Sequence, residues 1–244
     1  MSTVQGGPNI VTDGLVFYVD AANQKSYPGT GTTVNNLTSN QINGTLNGVG
    51  FDGKSWTFDG TDDYISCDSL IPLIQSDTQG TIEAWVKPTD ATPTPPNETI
   101  VGFGDGDAET RMNIVNVQDG TCALIYEIIG VNTWILKTNS IIFSDNTWTH
   151  VAIAQNGVSP YFVIDGIEYS ESEGNATFIT DVDRTKWLSG IPGVSNARIG
   201  CLNFVFAGNT NFYTGNIATT IYYNRALSSS EIQQNYNALK SRFI

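Results

Sequence analysis

The chain has 244 residues, 40% of them apolar and 11% aromatic, enough to bury a core; a β sandwich of that length is routinely one domain. Its 24 Asp and Glu against 11 Lys and Arg give a formal net charge of -13, which opposes nucleic-acid binding and attachment to an anionic membrane surface. The aromatic content excludes a disordered chain, and no window approaches the ~20 apolar residues of a bilayer span.

Short apolar runs separated by Gly, Asn, Asp and Pro turns predict an all-β, antiparallel two-sheet sandwich. Gly14 to Ala21 opens it with five consecutive apolar residues, Leu15 to Val19, as in a strand covered on both faces. Residues 22 to 50 read as a long polar connection. Lys54 to Phe58 and Tyr64 to Cys67 read as short strands around the turn Asp59-Gly60-Thr61-Asp62-Asp63. In Thr81 to Lys87, Ile82, Ala84 and Val86 alternate with Glu83, Trp85 and Lys87, so the first set is expected to face the inter-sheet core.

Ala91 to Pro96, with three prolines, is expected as an exposed loop. Strands follow at Ile100 to Gly104, Arg111 to Val117, Cys122 to Ile129, Thr133 to Lys137, Thr147 to Ala154 and Tyr161 to Ile164. Asp165-Gly166 is a two-residue hairpin turn into Ile167 to Tyr169. Residues 171 to 195 read as a loop, and Ala197 to Leu202 and Gly215 to Tyr223 complete the strands. One segment reads as a helix: Ser228 to Glu231 fits a capping box, Ile232, Tyr236 and Leu239 share a face, and Lys240 and Arg242 suit its negative end. Residues 1–13 are expected as an arm and 14–244 as the single domain.

Catalytic motifs are scarce. The one histidine, His150, lies in an alternating strand and reads as a core residue with a satisfied ring; no nucleophile elbow, P-loop, H-E-x-x-H or dinucleotide fingerprint occurs. A glycoside hydrolase needs only two carboxylates about 5–9 Å apart, and Glu83, Glu127 and the Glu171/Glu173 spacing are the candidates. Nothing in the sequence pairs them, so the chain is expected not to be an enzyme. The cysteines Cys67, Cys122 and Cys201 are widely spaced and read as buried free thiols.

Asp59, Asp62 and Asp63 put three carboxylates in five residues, a composition that can hold calcium; an Asx turn is the alternative. Asp105 and Asp107 form a second acidic Gly-rich loop and count as ligand-binding candidates. Among the tryptophans, Trp85 and Trp148 read as core, and Trp134 and Trp187 as exposed platforms for a sugar.

Several runs taken in order resemble the laminin-G-like, concanavalin A-like lectin/glucanase superfamily. They begin with Gly14 to Ala21, Asn43 to Leu46, Phe58 to Ile65, Thr81 to Val86 and Trp148 to Ala152. They continue with Asp165-Gly166, Ala197 to Gly200, Tyr213 to Ile217 and Tyr222 to Ser228 with Glu231-Ile232. The resemblance implies a jelly roll with a short C-terminal helix and calcium near the Asp59 to Asp63 turn. Catalytic members carry a Glu-x-Asp-x-Glu strand, which this sequence lacks.

The opening is also similar to stand-alone domains of tailed-phage structural proteins, and Met1 to Asn9 lacks the basic and apolar stretches of an export signal. By that analogy the chain is expected to be a virion component made in the host cytoplasm. It would be a capsid decoration or tail-associated adhesion module, with other virion proteins, further copies of itself and host-surface glycan as partners. The alternative is a calcium-dependent carbohydrate-binding module.

Overall fold

A computed structural model describes residues 9–40, 42–128, 131–204 and 207–244. Two antiparallel sheets face each other. In the first, neighbouring strands run in the order Ile167–Tyr169, Pro160–Ile164, Thr149–Gln155, Gly80–Pro88, Thr214–Tyr223, Trp56–Asp59 and Gly50–Phe51, and Leu15–Asp20 also pairs with Thr214–Tyr223. The second begins Ala176–Asp181, Val131–Thr138, Cys122–Ile128, Arg111–Asn116 and Glu98–Gly104. It continues through Asn196–Ile199, Tyr64–Ser66, Gly44–Asn47 and Thr33–Val34. A small hairpin, Leu202–Phe204 with Gly208–Thr210, forms a separate two-stranded sheet packed against Glu98–Gly104. The all-β jelly-roll expectation holds.

Alternation decides which side chains fill the space between the sheets. Ile82, Ala84 and Val86 join the main core with Ile153, Ile164 and Ile217. Trp85 faces the other way and is buried as well, because the helix Ser229–Leu239 lies across that outer face. Ile232 and Leu239 of the helix pack with Ala152, Val163, Ala218 and Trp85, so the first sheet is covered on both sides. The helix starts as its sequence dictates: Ser228 accepts from the Glu231 N–H, and Glu231 accepts in return from the Ser228 N–H.

Asp165 (φ 49°) and Gly166 (φ 81°) both take positive φ, as a type I′ hairpin requires. All three cysteines are buried and free, and burial pushes the Cys67 thiol up to about 12. Among the described residues no helix is long and apolar enough to cross a membrane.

Three expectations are corrected. Residues 171–195 are not all loop: Ala176–Asp181 is an edge strand whose outward Thr177, Ile179 and Asp181 hid it among polar residues. The connection 22–50 contributes the short strands Thr33–Val34 and Gly44–Asn47. A four-residue helix, Ile71–Ile74, also occurs. The predicted strand end Ile129 lies outside the described residues, as do residues 1–8 of the expected arm. Residues 9–13 dock on the fold: Val11 N–H donates to Asn235 and Tyr223 OH donates to the Val11 carbonyl.

Candidate functional site

Under the helix, the outer face of the first sheet holds a buried polar network. Glu83 and His150 are each 1% exposed. Glu83 Oε2 lies 3.1 Å from His150 Nε2, and Glu83 Oε1 accepts from Asn235 Nδ2 at 2.7 Å. Asn235 also donates to Tyr223 OH. The histidine is a core residue, as expected, but its ring is satisfied only at Nε2, since the buried Nδ1 has no hydrogen-bond partner; its carboxylate partner Glu83 has no route to a substrate. Glu127 stands on the other sheet, ion-paired to Arg111 at 2.7 Å, and Glu171 binds Arg184 on the surface. The fold brings none of these carboxylates together as a pair.

The expected sugar platforms are inside the molecule. Trp134 is fully buried, stacked on Tyr126 at 5.6 Å with the rings 4° apart, because it points inward from a strand central enough to be paired on both edges. Trp187 is 1% exposed, and its indole N–H donates to Tyr222 OH, which in turn donates to Asp77. Irregular polar neighbours around Trp187 in the sequence concealed a core anchor. Trp148 departs in the opposite direction: it sits just ahead of the strand Thr149–Gln155, half-buried against Phe243.

Asp105 is likewise turned inward, accepting from the Asp107 N–H in an Asx turn packed beside Gly193. Asp107 is exposed. The strand Glu98–Gly104 separates this loop from the Asp59 to Asp63 turn side, about 20 Å at the usual strand rise, so the two acidic loops form no joint site.

The first acidic turn does assemble. Asp59 closes the strand Trp56–Asp59 opposite Thr214, and the chain reverses into Tyr64–Ser66. Carboxylate oxygens of Asp59, Asp62 and Asp63 lie within 4.8 Å of one another. Asp59 and Asp62 are exposed; Asp63 is buried, accepts from the Asp59 N–H at 2.9 Å and lies against Gly48, where any side chain would collide with it. Burial and then the charges of Asp59 and Asp62 push the Asp63 carboxyl above its ordinary value, opposed by that hydrogen bond. Among the described residues no cation pairs with the three. Asp59 also accepts from the Thr61 N–H, so Asx-turn bonds and a cluster of free carboxylate oxygens coexist. Hard-oxygen donors of this kind fit a divalent cation whose remaining positions are filled by water.

Beside this turn, with Gly60 as shared wall, opens a cleft of about 530 Å³. The Pro93 to Pro96 loop borders it, and Asp90, Glu98, Asn211, Phe212 and Thr214 supply polar and aromatic lining. Glu98 is 7% exposed, and its Oε2 has no hydrogen-bond partner. Burial pushes its carboxyl up, against hydrogen bonds from Thr214 and Asn116. Sequence reading passed over Glu98; the only available signal was a carboxylate at the head of an otherwise apolar strand. Asn211 takes positive φ (55°) and its carbonyl accepts from the Thr99 N–H, which fixes the loop over the strand.

Two facing antiparallel sheets, a rim cleft and a C-terminal helix on the outer face define a lectin-type sandwich. The chain belongs to the concanavalin A-like lectin/glucanases superfamily, whose family model matches residues 59–233. No curated protein matches it. Among solved structures, the Ruminococcus gnavus IT-sialidase CBM40 bound to α2,3 sialyllactose is similar at a TM-score of 0.61 and 16% identity, over 75% of this chain and 96% of that one. Trypanosoma rangeli sialidase in complex with sialic acid is similar at 0.66 and 13% identity, covering 96% of this chain. Streptococcus pneumoniae NanB sialidase is similar at 0.58 and 16%. The chain spans 34% of the former sialidase and 27% of the latter.

Proposed function

We propose that this chain is a non-catalytic glycan-binding module whose site is the rim cleft beside the acidic turn. The observation that carries the reading is the lining of that cleft: carboxylate, amide and hydroxyl groups beside a half-buried Phe212 and a proline wall. Neutral sugars need such groups, hydrogen-bond partners for hydroxyls and an apolar surface for the C–H face. Membership of a superfamily of lectins and glucanases, and likeness in fold to a sialidase carbohydrate-binding module, support the reading. Its candidate carboxylates Glu83 and Glu127 are engaged in separate contacts, which favours binding over hydrolysis.

A broad glycan array tests it, with Asn211→Gly as control because glycine keeps the positive φ. Binding to neutral sugars that is lost in the variant supports the reading; silence across the array counts against it. Calcium on Asp59, Asp62 and Asp63 is part of the proposal: added calcium at a hundred times its dissociation constant raises stability by about 2.7 kcal/mol, and Asp63→Asn removes the gain. An unchanged melting temperature contradicts it. The wider setting we propose is a phage virion, as a capsid decoration or tail-associated module that reaches host-surface glycan alongside other virion proteins and further copies of itself. It rests on the opening segment's resemblance, and purified particles lacking this chain by mass spectrometry would end it.

A further inference from the structure

The C-terminal segment creates a second cleft of a different character. About 370 Å³ in volume, it is lined by Ala22, Lys54, Trp148, Ser241, Arg242 and Phe243. Phe243 stacks on Trp85 at 4.3 Å and meets Trp148 at 4.8 Å, which holds the chain end down and leaves Trp148 half-buried at the edge. Lys87 Nζ lies 5.4 Å from the centre of the Trp148 ring.

Charge marks this cleft out. Seven of the eleven cationic side chains form ion pairs among the described residues. In a chain with 24 acidic residues, the four that do not are Lys25, Lys54, Lys87 and Lys240. Lys54 lines the cleft, Lys87 stands over its tryptophan, Lys25 follows Ala22 by three residues and Lys240 precedes Ser241. The nearby carboxylates are already engaged. Asp20 takes both terminal Arg242 nitrogens at 2.8 Å, and Asp52 accepts from the Lys54 and Ser55 N–H groups and from Asn216 and interacts with the Lys87 charge, one carboxylate against the four lysines. Screening over about 8 Å at physiological salt confines the repulsion of the chain's distant acids, so the local lysines set the potential here.

We infer that this cleft is a binding site for an anionic sugar ring, its carboxylate held by Lys54, Lys87 and the Arg242 edge and its C–H face laid against Trp148. The volume lies in the range of small-ligand sites, about 300–1,000 Å³, and suits one ring and part of a second. The aromatic pair supplies the apolar surface and Ser241 a hydroxyl contact. The rim cleft is lined by carboxylates and takes neutral sugars; this one selects for negative charge, and neither site needs the other.

Titration calorimetry of the full chain with methyl glucuronoside, methyl glucoside and acetate tests the inference, with the Trp148 indole resonance followed by NMR. The glucuronoside is expected to bind, to shift that resonance and to weaken with added salt. Lys54→Gln, an exposed change that leaves the fold intact, lowers its affinity about two- to fivefold. Trp148→Ala abolishes binding. Equal binding of the glucoside, equal binding of acetate alone, no binding of the glucuronoside, or an affinity indifferent to Lys54→Gln and to salt each overturns it.

Discussion

Two carboxylates, Glu83 and Glu98, are both more than nine-tenths buried, and they differ in what surrounds them. Glu83 lies beneath the C-terminal helix with each oxygen matched, one to His150 and one to Asn235. Glu98 faces the rim cleft with Oε2 unmatched. A buried carboxyl with a partner on each oxygen is part of the framework, whereas one in a cleft wall with a buried, unmatched oxygen carries a desolvation cost that a donor from a ligand would relieve. The covered face and the rim use the same residue types for different ends, and burial alone does not tell them apart.

The largest expected effect lies in the framework. Trp134→Ala costs about 3–5 kcal/mol in denaturant unfolding, by loss of a buried aromatic that contacts Tyr126 and Phe178, and leaves sugar affinity of the folded fraction unchanged. A variant of native stability with altered sugar binding restores Trp134 as a platform. Next, Glu83→Ala costs about 3 kcal/mol, because His150 and Asn235 lose their buried partner. A loss under 1 kcal/mol on the same assay breaks the contrast between the two carboxylates.

Glu98→Gln runs the other way. Its folded-state pKa is raised, so the ionised form is disfavoured in the fold and stability falls as pH rises through the window above its ordinary 4.5. The glutamine variant is therefore more stable than the natural protein at neutral pH in chelator, and equal to it in acid. A destabilised variant at neutral pH shows that Glu98 is matched after all.

Smallest is the helix cap. Ser228→Ala costs about 1 kcal/mol. Glu231 sharpens the same point through acid: the Arg225 guanidinium holds its carboxyl at about 2, below the usual 4.5. Its contribution is complete above 4.5 and is lost as pH falls towards 2. Acid titration of the Arg225→Gln variant, followed by circular dichroism, should show a smaller pH dependence, the remainder held by the Ser228 N–H and hydroxyl; an unchanged titration contradicts the assignment.

The elements with strong local signals were legible in the sequence. Alternation in Thr81 to Lys87, the Asp165-Gly166 turn and the Ser228 to Glu231 box each translate one physical rule into one structure, and each holds. Ala176–Asp181 escaped because an edge strand with one wet face carries too few apolar residues to stand out. Of the candidate site, the acidic turn was readable because its three carboxylates are neighbours in sequence. The cleft beside it was not, since Asp90, Glu98 and Asn211 meet only through the sheet order. Trp134 and Trp187 misled for a related reason: a tryptophan's exposure depends on what crosses over it, and Tyr126, Phe178 and Tyr222 come from other strands.

In the proposed function the rim, and not the covered face, meets the ligand. Amide chemical-shift mapping during titration with a neutral oligosaccharide tests that directly. Shifts confined to residues 59–63, 89–98 and 210–214 are predicted, with Gly80–Pro88 and Ser229–Leu239 unmoved. Shifts centred on the helix or the strand beneath it, or none at saturating sugar, contradict the account.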